Sequence, residues 1–401
     1  MSSGTASWRD LPSHRAWLAG ETGRLLAFAR RSRIPDGFGW LDADGALEPG
    51  RPPQLWITAR MTHVFALGEL LGVPGSGPLA DHGLRALAER FADPEHGGWW
   101  SEAGVPGAKE AYPHSFVLLA AASGQIAGRP AAEELLGAAA SVVERRFWSE
   151  AEGASLEAWD REWRTPEPYR GANANMHMVE AFLAAADATG DAVWLQRAER
   201  TAARLMGVAR EHGWRVVEHF DAGWAPQPEY NRDDPRHRFR PFGVTPGHGI
   251  EWSRLLLQLR ADLPDPPGWL LEAARGLFAR AVEDGWRDGF VYTTDLKGRP
   301  VVEDRLHWVV AEAIGAAATL HAVTGERGYE AWYRRLWDFA AQHLIDAERG
   351  GWYHELDAAL RPSEATWSGK PDVYHAIQAT LVPRVPPRPS LAGALRDAPL
   401  T

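Results

Sequence analysis

The sequence predicts an all-α fold, a closed (α/α)6 barrel with short β-hairpins in the connections at one end. Three observations predict it. Spacings typical of amphipathic helices dominate the 401-residue chain. Six glycine–aromatic clusters recur about 55 to 75 residues apart, a period typical of stacked or ring-closed units. Helical segments meet at Gly190-Asp191 and Gly325-Glu326 with almost no linker, as in antiparallel helical hairpins.

Twelve helical segments follow from the spacing of the apolar residues. We predict them at 8–31, 54–72, 79–91, 109–128, 131–147, 173–190, 191–211, 244–261, 267–284, 302–324, 326–345 and 370–382. The glycine–aromatic clusters occupy the longer connections, at Gly37-Phe38-Gly39-Trp40, Gly98-Trp99-Trp100, 153–159, Gly213-Trp214, Gly285-Trp286 and Gly351-Trp352-Tyr353. Glycine flanks and β-branched or aromatic residues favour brief strands there, as at 214–220 and 290–294.

A closed ring, as opposed to an open solenoid, predicts an inner set of helices that is richer in apolar and small residues than the outer set. Segments 109–128 and 302–324 have that composition and are expected inside. Segments 191–211 and 326–345 carry many more charges and are expected outside. Each unit then reads as helix, short hairpin, helix and tight turn.

Composition limits the classes of function. The net charge of −10, without a dense Lys/Arg run, argues against a nucleic-acid partner. The absence of cysteine excludes disulfides, cysteine–zinc sites and thiol nucleophiles. The first 30 residues lack an apolar core of signal-peptide length, and no stretch approaches a membrane span, so we expect a cytoplasmic protein without a membrane partner. We expect 1–401 to be a single catalytic domain, with 383–401 a Pro-rich tail; the oligomeric state, a homo-oligomer included, stays open.

Polar side chains stand near the start of each predicted inner helix. Trp56/Arg60, Asn173/His177 and Trp308/Glu312 are four residues apart, and His248/Glu251 and Asp372/His375 are three apart. Both spacings place two side chains on one helix face. Tyr112 lies near the start of the fourth segment. In a closed ring these faces share one axis, so we expect one polar site at that end of the barrel.

The chemistry that this set supports is proton transfer by histidine on a polar substrate that stacks on tryptophan. The chain has no HExxH motif, no ladder of carboxylates and no glycine-rich phosphate loop, so we expect neither a metal nor another cofactor. Two histidines on separate helices can remove a proton beside a carbonyl and serve its oxygen. Glu251, one turn beyond His248, is expected to hold the tautomer of that ring, and Arg60 to stabilise an enediolate oxygen.

Four motifs occur in order along the chain: Leu55-Trp-Ile-Thr-Ala-Arg-Met-Thr-His-Val64, Asn173-Ala-Asn-Met-His177, Thr245-Pro-Gly-His-Gly-Ile-Glu-Trp252 and Lys370-Pro-Asp-Val-Tyr-His375. They resemble the N-acylglucosamine 2-epimerase superfamily, most of all its aldose–ketose isomerase branch, over about residues 10 to 382. The resemblance implies an (α/α)6 barrel and an intramolecular oxidoreductase that needs no metal. The expected reaction interconverts D-mannose and D-fructose, and by extension D-lyxose and D-xylulose, through a cis-enediol.

By their positions in these motifs, the resemblance assigns proton transfer to His248 and His375. It implies that Glu251 is the carboxylate partner of His248. It implies that the monosaccharide is contacted by Arg60, Trp56, Asn173, His177, Trp308, Glu312, Arg238 and Tyr112. Arg238 lies in a charged loop at 231–240, and two further arginines of that loop, Arg236 and Arg240, are alternatives to it. Further candidates at the rim of the site are Trp367 and Lys370.

Simpler roles for some of these residues stay open. Asn173 suits a helix N-cap, and Arg60 suits a buried ion pair with Glu69 or another acid. Trp56 and Trp308 would also fit the barrel core.

Three other functions stay open as well. A sugar 2-epimerase of the N-acetylglucosamine, glucose or cellobiose type could use the same pair of histidines. An (α/α)6 glycoside hydrolase would need two carboxylates, for which Glu251 and Glu312 are the candidates. A carbohydrate-binding protein without catalysis is the last alternative.

Overall fold

The computed structural model describes residues 6–400, and its helices form two concentric rings. Within that range there are thirteen α-helices. They are α1 (Pro12–Ala29), α2 (Leu55–Leu70), α3 (Ser76–Ala86), α4 (Ala111–Ile126), α5 (Ala132–Val142), α6 (Ala172–Thr189), α7 (Ala192–Glu211), α8 (Pro246–Asp262), α9 (Trp269–Gly285), α10 (His307–Thr324), α11 (Arg327–Phe339), α12 (Tyr374–Leu381) and α13 (Leu391–Asp397). The twelve predicted helices are all present, with shifted ends.

The inner ring consists of the even-numbered helices α2 to α12, each packed on the next, and α12 packs on α2 to close it. The predicted inner positions of α4 and α10 are confirmed, because both are buried on nearly every side. A helix that is apolar all round has to be buried. The outer helices α7 and α11 bury one face only, as predicted. Although the inner helices are apolar, none in the described range combines the length and hydropathy needed to cross a bilayer.

The ring closes where the first helix meets the last inner one. Thr22 on α1 donates a hydrogen bond to Thr380 on α12 at 2.8 Å. Trp352 Nε1 donates to Glu21 at 2.9 Å. Both hydrogen bonds are buried, and they join residues more than 300 positions apart. The closed barrel is therefore confirmed, and the open solenoid is excluded.

Twelve short strands lie in the connections of the described chain. They are β1 (Arg33–Ile34), β2 (Gly37–Phe38), β3 (Lys109–Glu110), β4 (Trp148–Ser149), β5 (Ala154–Ser155), β6 (Ala158–Trp159), β7 (Tyr169–Gly171), β8 (His219–Asp221), β9 (Thr293–Thr294), β10 (Pro300–Val302), β11 (Arg305–Leu306) and β12 (Glu355–Leu356). They form six antiparallel pairs, β1-β2, β3-β6, β4-β5, β7-β8, β9-β10 and β11-β12. Strands β3, β7 and β11 run directly into inner helices α4, α6 and α10, so these pairings fix where those helices begin.

Three outer helices end in a π-helical turn at the point where the predicted segment continues. The turns are Leu87–Phe91, Val143–Phe147 and Ala340–Leu344. Each turn buries its last apolar side chain and passes the chain into the next hairpin. The wider turn of a π-helix therefore forms the corner between the outer ring and the connections.

Two helices, α1 and α12, begin later in the chain than predicted, and local interactions explain both differences. Helix α1 begins at Pro12, which suits the first turn of a helix because proline has no N–H to leave unpaired. Helix α12 begins at Tyr374 and not at 370, since the backbone N–H of Lys370 donates to Leu41 and Pro371 disfavours a helical residue before it.

The Pro-rich tail contains helix α13, which the sequence did not predict. Ser390 caps it by accepting a hydrogen bond from the backbone N–H of Gly393, and its hydroxyl bonds Asp187 at 2.5 Å. Leu391 and Leu395 are buried, and the helix packs on α2, α4 and α6. A cap and an apolar face supplied by the barrel thus stabilise a helix of only seven residues.

Candidate active site

One cavity opens among the starts of the inner helices. It is lined by Trp56, Arg60, Tyr112, Asn173, His177, Arg238, Phe239, Pro241, His248, Glu251, Tyr292, His307, Trp308, His354, Trp367, Pro371, Asp372 and His375. These residues come from all six inner helices and from the connections above them. The structure therefore brings together every predicted site residue except Glu312.

Two histidines of the cavity are each held by a buried carboxylate. His248 Nδ1 lies 2.9 Å from both carboxylate oxygens of Glu218, and His375 Nδ1 lies 2.8 Å from Glu312 Oε1. A carboxylate only accepts, so each Nδ1 carries the proton and each Nε2 is left for the substrate. Both rings also lie against Trp308, with centroid distances of 5.4 and 5.7 Å. The two imidazoles therefore share one aromatic neighbour.

The partner of His248 is Glu218, and the expectation that Glu251 holds this ring is wrong. Glu218 immediately precedes β8 and also accepts from the backbone N–H of Thr245 at 3.2 Å. Glu251 instead lies 3.8 Å from His177 Nδ1. A spacing of three places two residues on one helix face, but it does not set the direction in which the imidazole turns. The available signal was a charged residue within the apolar strand pattern at 214–220.

Glu312 does not line the cavity, so the expectation of a direct sugar contact is corrected too. It is buried beneath His375 and accepts from Arg254 Nε at 2.7 Å. Four residues of helix advance about 6 Å along the axis, which carries Glu312 below the level of Trp308. Its effect on the substrate passes through His375.

A cluster of buried charges forms the floor of the cavity. The guanidinium of Arg254 lies 2.7 Å from Glu312, 3.6 Å from Glu251 and 3.7 Å from Glu180. Tyr374 donates its hydroxyl proton to Glu180. Burial, and then the charges of Glu312 and Glu180, raise the pKa of Glu251 well above its ordinary value. Glu251 thus retains its proton more readily than a free carboxyl, because one guanidinium serves three carboxylates.

The same floor has donor atoms at metal-binding spacing. His177, Glu180 and Glu251 place ligand atoms within 4.8 Å of one another, and so do Glu251, Glu312 and His375. Nitrogen and oxygen donors of this kind suit a divalent ion. The guanidinium of the floor already supplies a positive charge to these carboxylates. The Nδ1 of His375 is also already hydrogen-bonded to Glu312.

Arg60 brings a positive charge to the wall of the cavity. Its Nη1 lies 3.4 Å from Asp372 Oδ2, and its Nη2 donates to the hydroxyl of Tyr112 at 3.0 Å. Arg60 thus forms a buried ion pair, but its partner is Asp372 and not Glu69, which pairs with Arg129 at 3.3 Å. Asp372 also accepts the backbone N–H of Tyr374 at 2.9 Å, which fixes it at the start of α12.

Asn173 and His177 form the part of the wall that α6 provides. Gly171 is the N-cap of that helix, so Asn173 is not its capping residue. The Asn173 amide donates to the backbone carbonyl of Phe239 at 3.4 Å. The ring of His177 lies 5.2 Å from that of Tyr112, and burial lowers the pKa of His177 to about 4. His177 is therefore neutral at pH 7.

Aromatic side chains surround the mouth of the cavity. Trp56 lies 5.9 Å from Trp367 and 6.0 Å from Phe239, measured between ring centroids. Trp367, a candidate at the rim, is thus part of the lining. Lys370, the other candidate, is not: it is buried and bonds Asp346 at 2.6 Å.

The charged loop 231–240 crosses the mouth, and of its three candidate arginines Arg238 lines the cavity. Arg238 Nε donates to the backbone carbonyl of Thr366 at 3.0 Å. Arg236 is paired with Asp304, and Arg240 makes two hydrogen bonds to Glu167 outside the cavity. The loop is thereby attached to the rim on both sides.

Two further histidines of the cavity were not in the predicted site. The rings of His307 and His354 are stacked, with centroids 3.9 Å apart. His307 Nδ1 lies 3.3 Å from the backbone carbonyl of His354, and His354 Nε2 donates to that of Asp372 at 3.0 Å. His307 stands at a helix start, but His354 lies in a connection, where the sequence pattern offers no signal.

The assembled groups are suited to moving protons on a polar substrate bound against an indole. They include two imidazoles with fixed tautomers, the guanidinium groups of Arg60 and Arg238, and the neutral ring of His177. The glycoside hydrolase alternative needed Glu251 and Glu312 on either side of a glycosidic bond. Only Glu251 reaches the cavity, so the geometry does not support that alternative.

Comparison with known proteins agrees with this geometry. The family model for N-acylglucosamine 2-epimerase (GlcNAc 2-epimerase) matches residues 37–379. A D-mannose isomerase from Thermobifida fusca is 55% identical over 400 residues, covering 97% of this chain and 98% of the relative. A second D-mannose isomerase, from Pseudomonas cannabina pv. alisalensis, is 50% identical over 402 residues, with 97% of each chain covered. A crystal structure of D-mannose isomerase superposes with a TM-score of 0.86 at 30% identity, over 93% of this chain and 99% of that one.

Proposed function

The chain belongs to the N-acylglucosamine 2-epimerase family, and we propose that it interconverts D-mannose and D-fructose by histidine-mediated proton transfer. It is an aldose–ketose isomerase, as its relatives at 50 and 55% identity are. D-Lyxose and D-xylulose, which have the same configuration around the reacting carbons, form a second pair. The observation that carries the mechanism is the pair of carboxylate-held imidazoles that both lie against Trp308 in one cavity.

The sugar reacts in its open-chain form, with C1 and C2 near His375 and Arg60. Asp372 pairs with Arg60 and stands three residues before His375, so the cation and the base belong to one wall. A base that removes a proton beside a carbonyl is effective when a positive charge faces the oxygen that becomes negative. Arg60 meets that requirement.

His375 Nε2 removes the proton from C2 of the aldose. The C–H electron pair then forms the C1–C2 double bond, and the carbonyl electrons move to O1, which gives a cis-enediolate beside Arg60. Burial lowers the pKa of His375 well below that of free histidine, and the charge of Arg60 lowers it further, so the ring is neutral before the reaction. Glu312 at Nδ1 stabilises the imidazolium. Transfer of a proton from this imidazolium to C1 gives the ketose, and exchange of that proton with solvent while the nitrogen holds it releases a label from C2.

His248 serves the oxygen atoms. Isomerisation requires O1 to gain a proton and O2 to lose one, in addition to the transfer between the carbons. His248 lies against the same indole as His375, and no hydrogen bond occupies its Nε2 among the described residues. Its tautomer is held by Glu218, as the imidazole of a catalytic triad is held by a carboxylate. The same group can assist opening of the pyranose ring.

Deuterium exchange separates the two roles. D-Mannose labelled with deuterium at C2 is incubated with wild type, His375→Gln or His248→Gln, and NMR follows both loss of label and formation of fructose. We expect His375→Gln to slow the loss of label by about 10³-fold, and His248→Gln to slow product formation more than loss of label. His63→Gln is the control, because His63 is buried against Ser123 outside the cavity.

Two results would contradict the proposal. Exchange at the wild-type rate in the His375 variant would remove it from the C2 proton transfer. Glucose as the main product from mannose would replace the isomerase with a 2-epimerase.

A further inference from the structure

His307 lines the cavity, and one nitrogen of its ring has no hydrogen-bond partner among the described residues 6–400. That nitrogen is Nε2, which is buried. Buried polar atoms are nearly always hydrogen-bonded, because leaving one unpaired in a folded protein is unfavourable by about 1–3 kcal/mol. A nitrogen of this kind in a ligand cavity indicates that the partner comes with the ligand.

The hydrogen bonds of the ring determine what this nitrogen can bind. His307 Nδ1 lies 3.3 Å from the carbonyl oxygen of His354, and the backbone N–H of His307 donates to the same oxygen at 3.0 Å. A carbonyl oxygen only accepts, so the ring proton is on Nδ1. Burial, and then the neighbouring His354, lower the pKa of His307 well below its ordinary value, so Nε2 is an acceptor.

His354, whose ring stacks on that of His307, is neutral as well. His354 Nε2 donates to the backbone carbonyl of Asp372 at 3.0 Å, and burial lowers the pKa of His354 to about 3. The two rings are 3.9 Å apart at an interplanar angle of 25°. Both are thus neutral, and each has one nitrogen committed to a main-chain carbonyl. This wall can accept a proton in a hydrogen bond, but its ring nitrogens have none left to donate.

We propose that His307 is a substrate-binding residue that selects for a hydroxyl group of the sugar. Its Nε2 accepts the hydroxyl proton. A sugar in which that hydroxyl is replaced by hydrogen, fluorine or a methoxy group has no proton to offer and leaves the nitrogen unpaired. The inference rests on the proposed function, since it places the substrate in the same cavity, and it adds a specificity contact beside the proton-transfer groups.

Steady-state kinetics with 3-, 4- and 6-deoxy-D-mannose identify the hydroxyl. We expect wild type to lose about 10- to 100-fold in kcat/KM with one of the three, and less with the others. His307→Asn retains an amide near the Nδ1 position that can donate to His354 and removes the Nε2 acceptor. We expect it to lose a similar factor with mannose, mainly through KM, and to lose nothing further with the sensitive deoxysugar.

Two more variants separate binding from structure. His307→Gln places an amide oxygen near the position of Nε2 and is expected to recover at least part of the loss. His63→Asn removes a buried histidine outside the cavity, and its ranking of the deoxysugars should match wild type. If wild type and His307→Asn lose the same factor with every deoxysugar, the contact does not exist and His307 has a structural role.

Binding alone distinguishes this inference from the proposed reaction. If wild type did not convert mannose to fructose, the isomerase proposal would fail. The stabilisation of wild type and of His307→Asn by mannose and by each deoxysugar, measured as a shift in Tm, would still test the hydroxyl contact. Equal shifts for mannose and all three deoxysugars in wild type would overturn the assignment of His307.

Discussion

The guanidinium of Arg60 and the carboxylate of Asp372 lie 3.4 Å apart, although 312 positions separate them in the sequence. Arg60 belongs to α2 and Asp372 to the segment that leads into α12, which are neighbours in the inner ring. Both side chains are largely buried, so water screens the two charges less than it would at the surface. Removal of one partner is therefore more harmful than loss of a surface ion pair.

Asp372→Asn removes the charge but keeps an oxygen that can accept from the backbone N–H of Tyr374. We expect the free energy of unfolding to fall by about 3 kcal/mol, because Arg60 is left buried without a counter-charge. We also expect kcat/KM for mannose to fall by at least about 10²-fold as the guanidinium moves. Denaturant titration and initial rates measure the two effects.

Asp93→Asn is a matched control for that variant. Asp93 pairs with Lys109 at 3.0 Å, both side chains are fully buried, and neither lines the cavity. We expect a comparable loss of stability with kcat/KM near wild type once unfolded protein is accounted for. Equal loss of kcat/KM in both variants would mean that the effect of Asp372 on activity comes only from folding.

Two glycines flank His248, and only one of them has to be glycine. A Cβ on Gly247 would lie 2.5 Å from the ring of Trp308, whereas a Cβ on Gly249 would meet its nearest atom at 3.8 Å. We expect Gly247→Ala to displace the indole, destabilise the protein by about 1–3 kcal/mol and lower kcat/KM at least about 10-fold. Gly249→Ala should stabilise it by about 0.5–1 kcal/mol, since alanine is the better helix former. Thermal unfolding and initial rates of the two variants test this; the opposite order would contradict it.

Glu218→Gln tests the partner assigned to His248. A glutamine can present an N–H to Nδ1 and favour the other tautomer, which would place the proton on Nε2. We expect kcat to fall by about 10²- to 10³-fold while KM for mannose changes by less than about threefold. Circular dichroism checks that the fold is kept. An unchanged kcat would show that the tautomer of His248 does not depend on Glu218.

Buried histidines make stability depend on pH. Burial lowers the pKa of His63 from 6.5 to about 4, so the unfolded chain binds more protons between these values. Stability from this group is complete above pH 6.5 and is lost as the pH falls through about 4. The loss approaches about 3 kcal/mol at the lower end. His114 and His354, with pKa values lowered to about 3, act in the same direction.

Urea unfolding at pH 7.5, 6 and 5 measures this dependence. We expect the midpoint to fall with pH in wild type. His63→Asn should give a shallower slope, because one group that titrates on unfolding is gone. A midpoint that rises as the pH falls would contradict the assignment of neutral buried histidines.

The order of helices could be predicted from the sequence because its signals are local. Apolar spacing marks the helices, and residues such as Gly190 and Gly325, both of which adopt positive φ, mark the tight turns. Helix α13 could not be predicted, since it depends on burial of Leu391 and Leu395 by distant helices and on the bond from Ser390 to Asp187. Its seven residues would not be helical on their own.

The location of the site could be predicted from the repeated polar positions at the inner-helix starts. The pairing of side chains within it could not. Glu218 lies in a connection rather than on an inner helix. Its hydrogen bond with His248 depends on the side-chain rotamers of both residues, which sequence spacing does not encode. Glu312 is expected from the sequence to line the cavity, but it lies beneath His375. Two residues on one helix face can lie at different distances from the cavity.

The hydrogen bond between Thr22 and Thr380 has a consequence for biosynthesis. The ribosome makes α1 before α12, since 358 positions separate the two threonines, and the ring cannot close until α12 has left the ribosome. Until then the inner ring lacks α12, and apolar surfaces of α2 and α10 are exposed. Chaperones bind exposed apolar surfaces of this kind. Joining ends this distant carries only a modest additional entropic cost, because that cost grows with the logarithm of the intervening length. The wall of the cavity that α12 provides is therefore complete only after α12 has packed on α1 and α2.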